Sequence, residues 1–163
     1  MKAKTKTIEN LQKALSMELG AVHQYLLHAH VLEDWGLDRL AAKMRNEMQE
    51  ELGHAQEYTK RLMFLGADPE VKAAKVPQRA QTLADMFKAD LVDEEEAIRF
   101  YSQAAATASE AGDIGSRLIF ERIVVDEEGH KAWLDLQLTL IGRIGEQAYI
   151  AKHMSVDEPA SEA

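Results

Sequence analysis

Six side chains of two kinds recur at a fixed interval along this chain. Glu18 precedes Glu51-Leu52-Gly53-His54 by 33 residues, and Glu94 precedes Glu127-Glu128-Gly129-His130 by the same 33. Glu18 to Glu94, Glu51 to Glu127 and His54 to His130 are each 76 residues apart. Carboxylate and imidazole donors without thiolate suit Fe(II), Mn(II) or Zn(II), and abundant oxygen donors also accommodate Fe(III). Four carboxylates and two imidazoles are what a pair of iron or manganese ions needs. One histidine per metal leaves positions open for oxygen or peroxide.

The spacing also says where these groups sit. Residues three apart in a helix share a face, so each Glu-x-x-His motif projects both donors to one side. Glu18 falls in the apolar stripe Leu11, Leu15, Val22, Tyr25, and Glu94 in the stripe Phe87, Leu91, Ile98, Tyr101. A carboxylate inside such a stripe must be paired, metal-bound or neutralised. Two divalent cations neutralise four of them. The competing reading is a hydrogen-bonded polar core, which is weakened by six residues in one register. Tyr25 and Tyr101 follow the two glutamates by seven residues. Tyr25 is a candidate hydrogen-bond donor or electron source, whereas Tyr101 and Trp133 read first as packing. His23, His28, His30 and His153 lack a comparable carboxylate pattern and are expected at the surface or at an interface.

Four long helices must position the six donors, and the 3-4 spacing of apolar residues predicts them. The first covers 5–34 and ends at Trp35-Gly36; the second covers 37–65 and stops at Gly66. Residues 66–81, with Pro69 and Pro77, show no helical stripe and read as one long crossover. Thr82 caps a third helix, with Asp85 three residues on. Gly112 ends it, Asp113 caps a fourth, and Gly142 and Gly145 close that one. A short fifth helix is expected over 146–153. The 76-residue offset also relates Leu11 to Phe87, Leu15 to Leu91 and Tyr25 to Tyr101, so one helix pair is used twice.

Composition agrees. Ala, Leu, Glu, Met, Gln and Lys abound among the 163 residues, with only three prolines and nine glycines, which reads as all-α. One domain over 1–155 and a disordered polar tail over 156–163 are expected. A net charge of −9 argues against a nucleic-acid partner. There is no cysteine, which excludes disulfides, iron–sulfur clusters and thiolate zinc. No apolar run reaches membrane-spanning length and the basic N-terminus lacks an apolar signal core, so a cytoplasmic protein is expected.

Beyond the six donors, the chain carries Gln24-Tyr25, Leu27-His28-Ala29, Asp34-Trp35-Gly36-Leu37, Phe64-Leu65, Asp126 before the second motif, and Trp133-Leu134. With these it resembles the bacterioferritins along its whole length. The resemblance implies a ferritin-like four-helix bundle with one long crossover, assembled as a hollow homo-oligomer of 24 subunits. It implies a ferroxidase that oxidises Fe(II) with oxygen or hydrogen peroxide and stores the ferric product. In it Glu18, Glu51, His54, Glu94, Glu127 and His130 bind a non-haem di-iron centre, with Glu51 and Glu127 bridging. It also implies haem b between subunits, held by a methionine where this chain has Leu52. Met48, one turn earlier, is the nearest substitute ligand, and a mixed shell with a haem-binding paralogous subunit is the other route to haem. Asn46 stands where some relatives have a histidine on the inner surface, leaving Glu47 and Glu50 to guide or bind cations or simply to be solvated. The enzymatic alternative is a discrete di-iron oxidase or peroxidase of the rubrerythrin type that stores no iron.

Overall fold

The computed structural model describes residues 2–155. Five helices follow one another: α1 Lys2–Asp34, α2 Asp38–Phe64, α3 Leu83–Glu110, α4 Ile114–Ile144 and α5 Glu146–His153. The tail expected over 156–163 lies outside the described residues. Helices α1 and α2 form one antiparallel hairpin and α3 and α4 another; α1 meets α3 across the bundle, while α2 and α4 approach each other far less. No helix among the described residues is long and apolar enough to cross a membrane.

The helix ends follow local chemistry. Gly36, at φ +72°, turns the chain out of α1, and Leu37 N then donates to Leu32 O while Gly36 N donates to Glu33 O. Thr82 caps α3 by accepting from Asp85 N at 3.1 Å. Of the two glycines expected to close α4, Gly142 lies inside the helix. The helix continues to Ile144 and is ended by Gly145, which alone of the two has a positive φ. A helical glycine costs about 1 kcal/mol against alanine, too little to break a helix packed along its length.

The crossover lies along α1 on a row of polar side chains, Gln12, Ser16 and Gln24, that share one helix face. Gln12 Nε2 donates to Glu70 O (2.8 Å) and Gln12 Oε1 accepts from Glu70 N (2.8 Å). Ser16 Oγ donates to Lys72 O (2.7 Å), Ser16 O accepts from Ala74 N (2.8 Å), and Gln24 exchanges two bonds of 2.9 Å with the backbone of Gln78. Extended backbone has no ladder of its own, so these groups satisfy it.

The core is in two parts. One contains Leu32, Leu40, Met44, Phe87, Leu134 and Tyr149; the other contains Leu11, Leu15, Tyr58, Leu62, Tyr101 and Phe120. On each long helix, the predicted donor residues fall between the segment that feeds one part and the segment that feeds the other. The apolar halves therefore bracket a polar layer in mid-bundle.

Candidate metal centre

All six predicted donors meet in that layer, each no more than 7% exposed. They divide into two overlapping groups whose ligand atoms lie within 4.8 Å of one another: Glu18, Glu51, His54 and Glu127, and Glu51, Glu94, Glu127 and His130. Glu51 and Glu127 belong to both. Glu51 places Oε2 3.1 Å from His54 Nδ1 and Oε1 3.2 Å from His130 Nδ1. Glu127 places Oε1 3.4 Å from His54 Nδ1 and Oε2 3.0 Å from His130 Nδ1. Each therefore spans the two halves. Glu18 sits only beside His54 and Glu94 only beside His130, both at 3.7 Å.

Of these contacts, Glu51 Oε2 to His54 Nδ1 is a hydrogen bond, while other atoms of the cluster lack one. Glu18 Oε1, Glu51 Oε1, Glu127 Oε2 and both ring nitrogens of His130 are buried with no hydrogen-bond partner. A buried polar atom left so costs about 1–3 kcal/mol. Their lone pairs converge on shared points, which suits a cation rather than a proton. The donor set, buried and free of thiolate, fits two iron or manganese ions.

The electrostatics show the strain such a cluster carries. Burial, and then the charge of Glu51, pushes the Glu18 carboxyl well above the usual carboxylate range. Burial does the same to Glu94, with the charges of Glu127 and Glu51 adding to it. Burial acts to raise Glu51 also, but the imidazoles of His130 and His54 outweigh it and hold the carboxyl down to about 2. Burial acts to lower both histidines, yet the carboxylates around them raise both far above the ordinary imidazole range. Protons on these groups offset part of the charge, and divalent cations replace them with better geometry.

Tyr25 joins the centre. Its hydroxyl donates to Glu94 Oε1 at 2.5 Å, from α1 across to α3. Burial and then the Glu94 charge keep that hydroxyl protonated well beyond its ordinary range. Tyr101 occupies the equivalent place beside Glu18, whose charge after burial is the main influence on its hydroxyl. Tyr101 also packs against Tyr58 and Phe120 at ring separations of 5.7 and 6.1 Å. Met48 does not join them; it packs half-buried against the apolar cluster that includes Met44 and Phe87.

Several partners of the centre are not evident from sequence spacing. His54 Nε2 lies 3.3 Å from Asp126 Oδ2, so its outer nitrogen has a carboxylate acceptor. Glu47, expected to guide or bind cations or to be solvated, is only 4% exposed and puts Oε2 2.9 Å from His130 Nε2. Burial acts to raise its carboxyl, but His130 and then Lys43 hold it below the usual range. His28, expected at the surface, is 1% exposed: Nδ1 lies 3.1 Å from Asp90 Oδ2 and Nε2 2.7 Å from Gln24 Nε2. The available signal was Asp90, an acid one turn before Glu94 on the same apolar stripe. His153 is half-buried and stacked on Tyr149 at 4.2 Å, while His23 and His30 are exposed. A carboxylate on the outer nitrogen of a ligand histidine fixes its ring orientation, and losing one costs about 10–100-fold in metal affinity. Asp126→Asn is accordingly expected to weaken Co(II) binding by about that factor at one of two positions, as read by anaerobic titration. Equal affinity at both would show that Asp126 merely lies nearby.

Comparison with known proteins agrees with this geometry. The ferritin-like domain family matches residues 8–144. A bacterioferritin of Brucella melitensis is 39% identical over 149 residues, covering 91% of this chain and 92% of that protein. One of Rhodobacter capsulatus is 38% identical over the same shares. A solved Rhodobacter capsulatus bacterioferritin, with a metal-free dinuclear site and haem iron in a crystallographic special position, superposes with a TM-score of 0.91 at 36% identity over 96% of this chain and 98% of its own. A Desulfovibrio desulfuricans bacterioferritin, whose diiron site is described in different catalytic states, gives 0.89 at 31% identity over 99% and 96%. With its fold, its doubled hairpin and these relatives taken together, the chain belongs to the ferritin-like family and, within it, to the bacterioferritins.

Proposed function

We propose that this chain stores iron and acts as a ferroxidase, taking Fe(II) as substrate at the centre between its four long helices. The carrying observation is the pair of overlapping donor groups that share Glu51 and Glu127. Two Fe(II) ions bound there surrender one electron each, enough to reduce hydrogen peroxide to water or oxygen to hydrogen peroxide.

The chain's own residues do the rest. Glu51 and Glu127 bridge, and so hold the two ions at one separation. Glu18 and Glu94 are terminal ligands, and His54 and His130 supply one nitrogen each. Tyr25 donates to Glu94 Oε1 and so fixes which oxygen of that carboxylate faces the metal; it also stands near enough to serve as an electron source. The apolar halves on either side exclude bulk water and favour charge neutralisation inside the layer. The ferric product then passes to storage in a homo-oligomeric shell of 24 chains.

Haem fits poorly on this chain. An axial ligand must be a nitrogen, sulfur or phenolate donor, Leu52 has none, and Met48 lies half-buried against its own subunit's core. In this proposal haem has no part in the mechanism, and any in the shell would arrive with a second, haem-binding subunit type. The relatives are bacterioferritins, which does not favour the rubrerythrin-type alternative.

The test uses the assembled protein. Fe(II) added anaerobically at two per chain, followed by air or hydrogen peroxide, is expected to give a fast rise in ferric absorbance. Light scattering should return the mass of a 24-chain particle. A particle no larger than a dimer would defeat storage, and oxidation no faster than in buffer would defeat the ferroxidase.

A further inference from the structure

A cavity of about 250 Å³ runs from the metal centre to the surface between α1, α3 and the crossover. Its inner wall includes Glu18, Tyr25 and Glu94, all buried; its outer rim includes Asp93, Glu96 and Lys75, which are half-buried or exposed. Seven acids line it: Glu18, Glu51, Asp90, Asp93, Glu94, Glu96 and Glu127. Lys75 is the one basic residue among the described residues of that lining.

Its position is built rather than incidental. The hydrogen bond from Ala74 N to Ser16 O, 2.8 Å, anchors the crossover one residue away. The stem of Lys75 runs over Gly20, its Cγ 3.8 Å from where a Cβ there would lie. The ammonium is ion-paired to Asp93 on α3, so it bridges the crossover and α3 over the rim. Lys75 is 52% exposed and Asp93 31%, which places the pair at the water boundary rather than in the core. An acidic funnel concentrates cations at its mouth, and a fixed positive charge in that mouth opposes them.

We propose that Lys75 is a charge gate that slows entry of divalent cations along this cavity to the metal centre. The proposal rests on the metal-binding reading above. Lys75 lowers the attraction of the rim by one unit of charge, set directly against Asp93. A dication passing within several ångströms feels each unit charge by an amount that corresponds to about threefold to tenfold in rate at low salt. The gate sets rate, not occupancy, because Lys75 touches none of the six donors.

Co(II) entry tests this without any oxidation. Anaerobic stopped-flow mixing follows the visible bands that Co(II) gains on binding. Lys75→Gln is expected to load about threefold to tenfold faster than the parent at low ionic strength, with the advantage fading by roughly 0.5 M salt. Lys75→Arg should match the parent. Asp93→Asn should be slower, since it leaves the ammonium uncompensated. All three should bind the parent number of Co(II) ions. Lys75→Gln at the parent rate, or Lys75→Arg as fast as Lys75→Gln, would overturn the gate. A parent that binds no Co(II) would instead overturn the centre, and the gate with it.

Discussion

Glu127→Ala is expected to weaken Co(II) binding at both positions of the centre, whereas Glu94→Ala weakens it at one. The difference follows from geometry: Glu127 has one oxygen beside each histidine, while Glu94 lies beside His130 alone. Loss of a shared ligand disrupts both halves and should cost at least about a hundredfold in the fast phase of iron oxidation, equivalent to about 2.7 kcal/mol of barrier. Glu94→Ala and His130→Ala should also slow that phase, but each should retain one tightly bound Co(II). The shell should assemble in every case. Glu127→Ala and Glu94→Ala each remove a buried carboxylate from a cluster that carries too many, so these metal-free variants should melt at or above the parent temperature, whereas His130→Ala removes the cation that offsets them and should melt below it. Anaerobic Co(II) titration, stopped-flow oxidation and calorimetry check the three parts. If Glu127→Ala and Glu94→Ala retain the same number of ions, Glu127 does not bridge.

A second large effect should fall on stability, far from the metal. Asp113 caps α4 by accepting from Ser116 N (3.0 Å) and Ser116 Oγ (2.8 Å), and it is also ion-paired to Arg61 of α2. Arg61 Nε in turn donates to Ser116 Oγ at 2.9 Å. The N-cap alone is worth about 1 kcal/mol, and leaving a largely buried guanidinium unpaired costs several more before solvent is allowed for. Asp113→Ala should therefore cost about 3 kcal/mol, or roughly 6–12 °C of melting temperature for a chain of this size. Gly115→Ala tests the same network from outside, since its Cβ would lie 2.7 Å from Arg61 Cζ and push the guanidinium away. Pairing Asp113→Ala with Arg61→Met should recover part of the loss, because no charge is then left alone. Additive losses would mean that the two residues are not coupled.

The same network has a pH sign. Burial acts to raise the Asp113 carboxyl, but Ser116 and Arg61 hold it below the usual carboxylate range. Its native form is thus favoured as the carboxylate, and its contribution is present above the unfolded value near 4 and lost as pH falls through the lower folded one. Asp113→Asn should show less acid destabilisation than the parent over that window.

Most of the fold was legible because it is periodic. Long amphipathic stripes, Thr82 and Asp113 as caps, and prolines in the crossover all act within a few residues, where spacing is informative. The six donors were legible for a different reason: they occur twice in one register, and no solvated surface explains that. What stayed hidden depends on pairs that only tertiary packing creates. Asp90 meets His28 across 62 positions, and Asp126 meets His54 across 72. Gln12, Ser16 and Gln24 look like an ordinary wet face of α1 until the crossover lies on them. Glu47 shares a helix stripe with Met44 and Glu51, but nothing in its spacing names His130 of another helix as its partner.

The crossing of Tyr25 from the first hairpin to Glu94 of the second has a meaning for ancestry and design. Each half of the centre draws on both hairpins, so neither hairpin alone holds a complete half. Two identical hairpins docked about a twofold axis would hold both. A gene half this length, encoding a single hairpin with one Glu and one Glu-x-x-His, would thus be sufficient as a symmetric dimer. Duplication and joining would then free each half to diverge, and a synthetic dimer of the second hairpin is the minimal form to build.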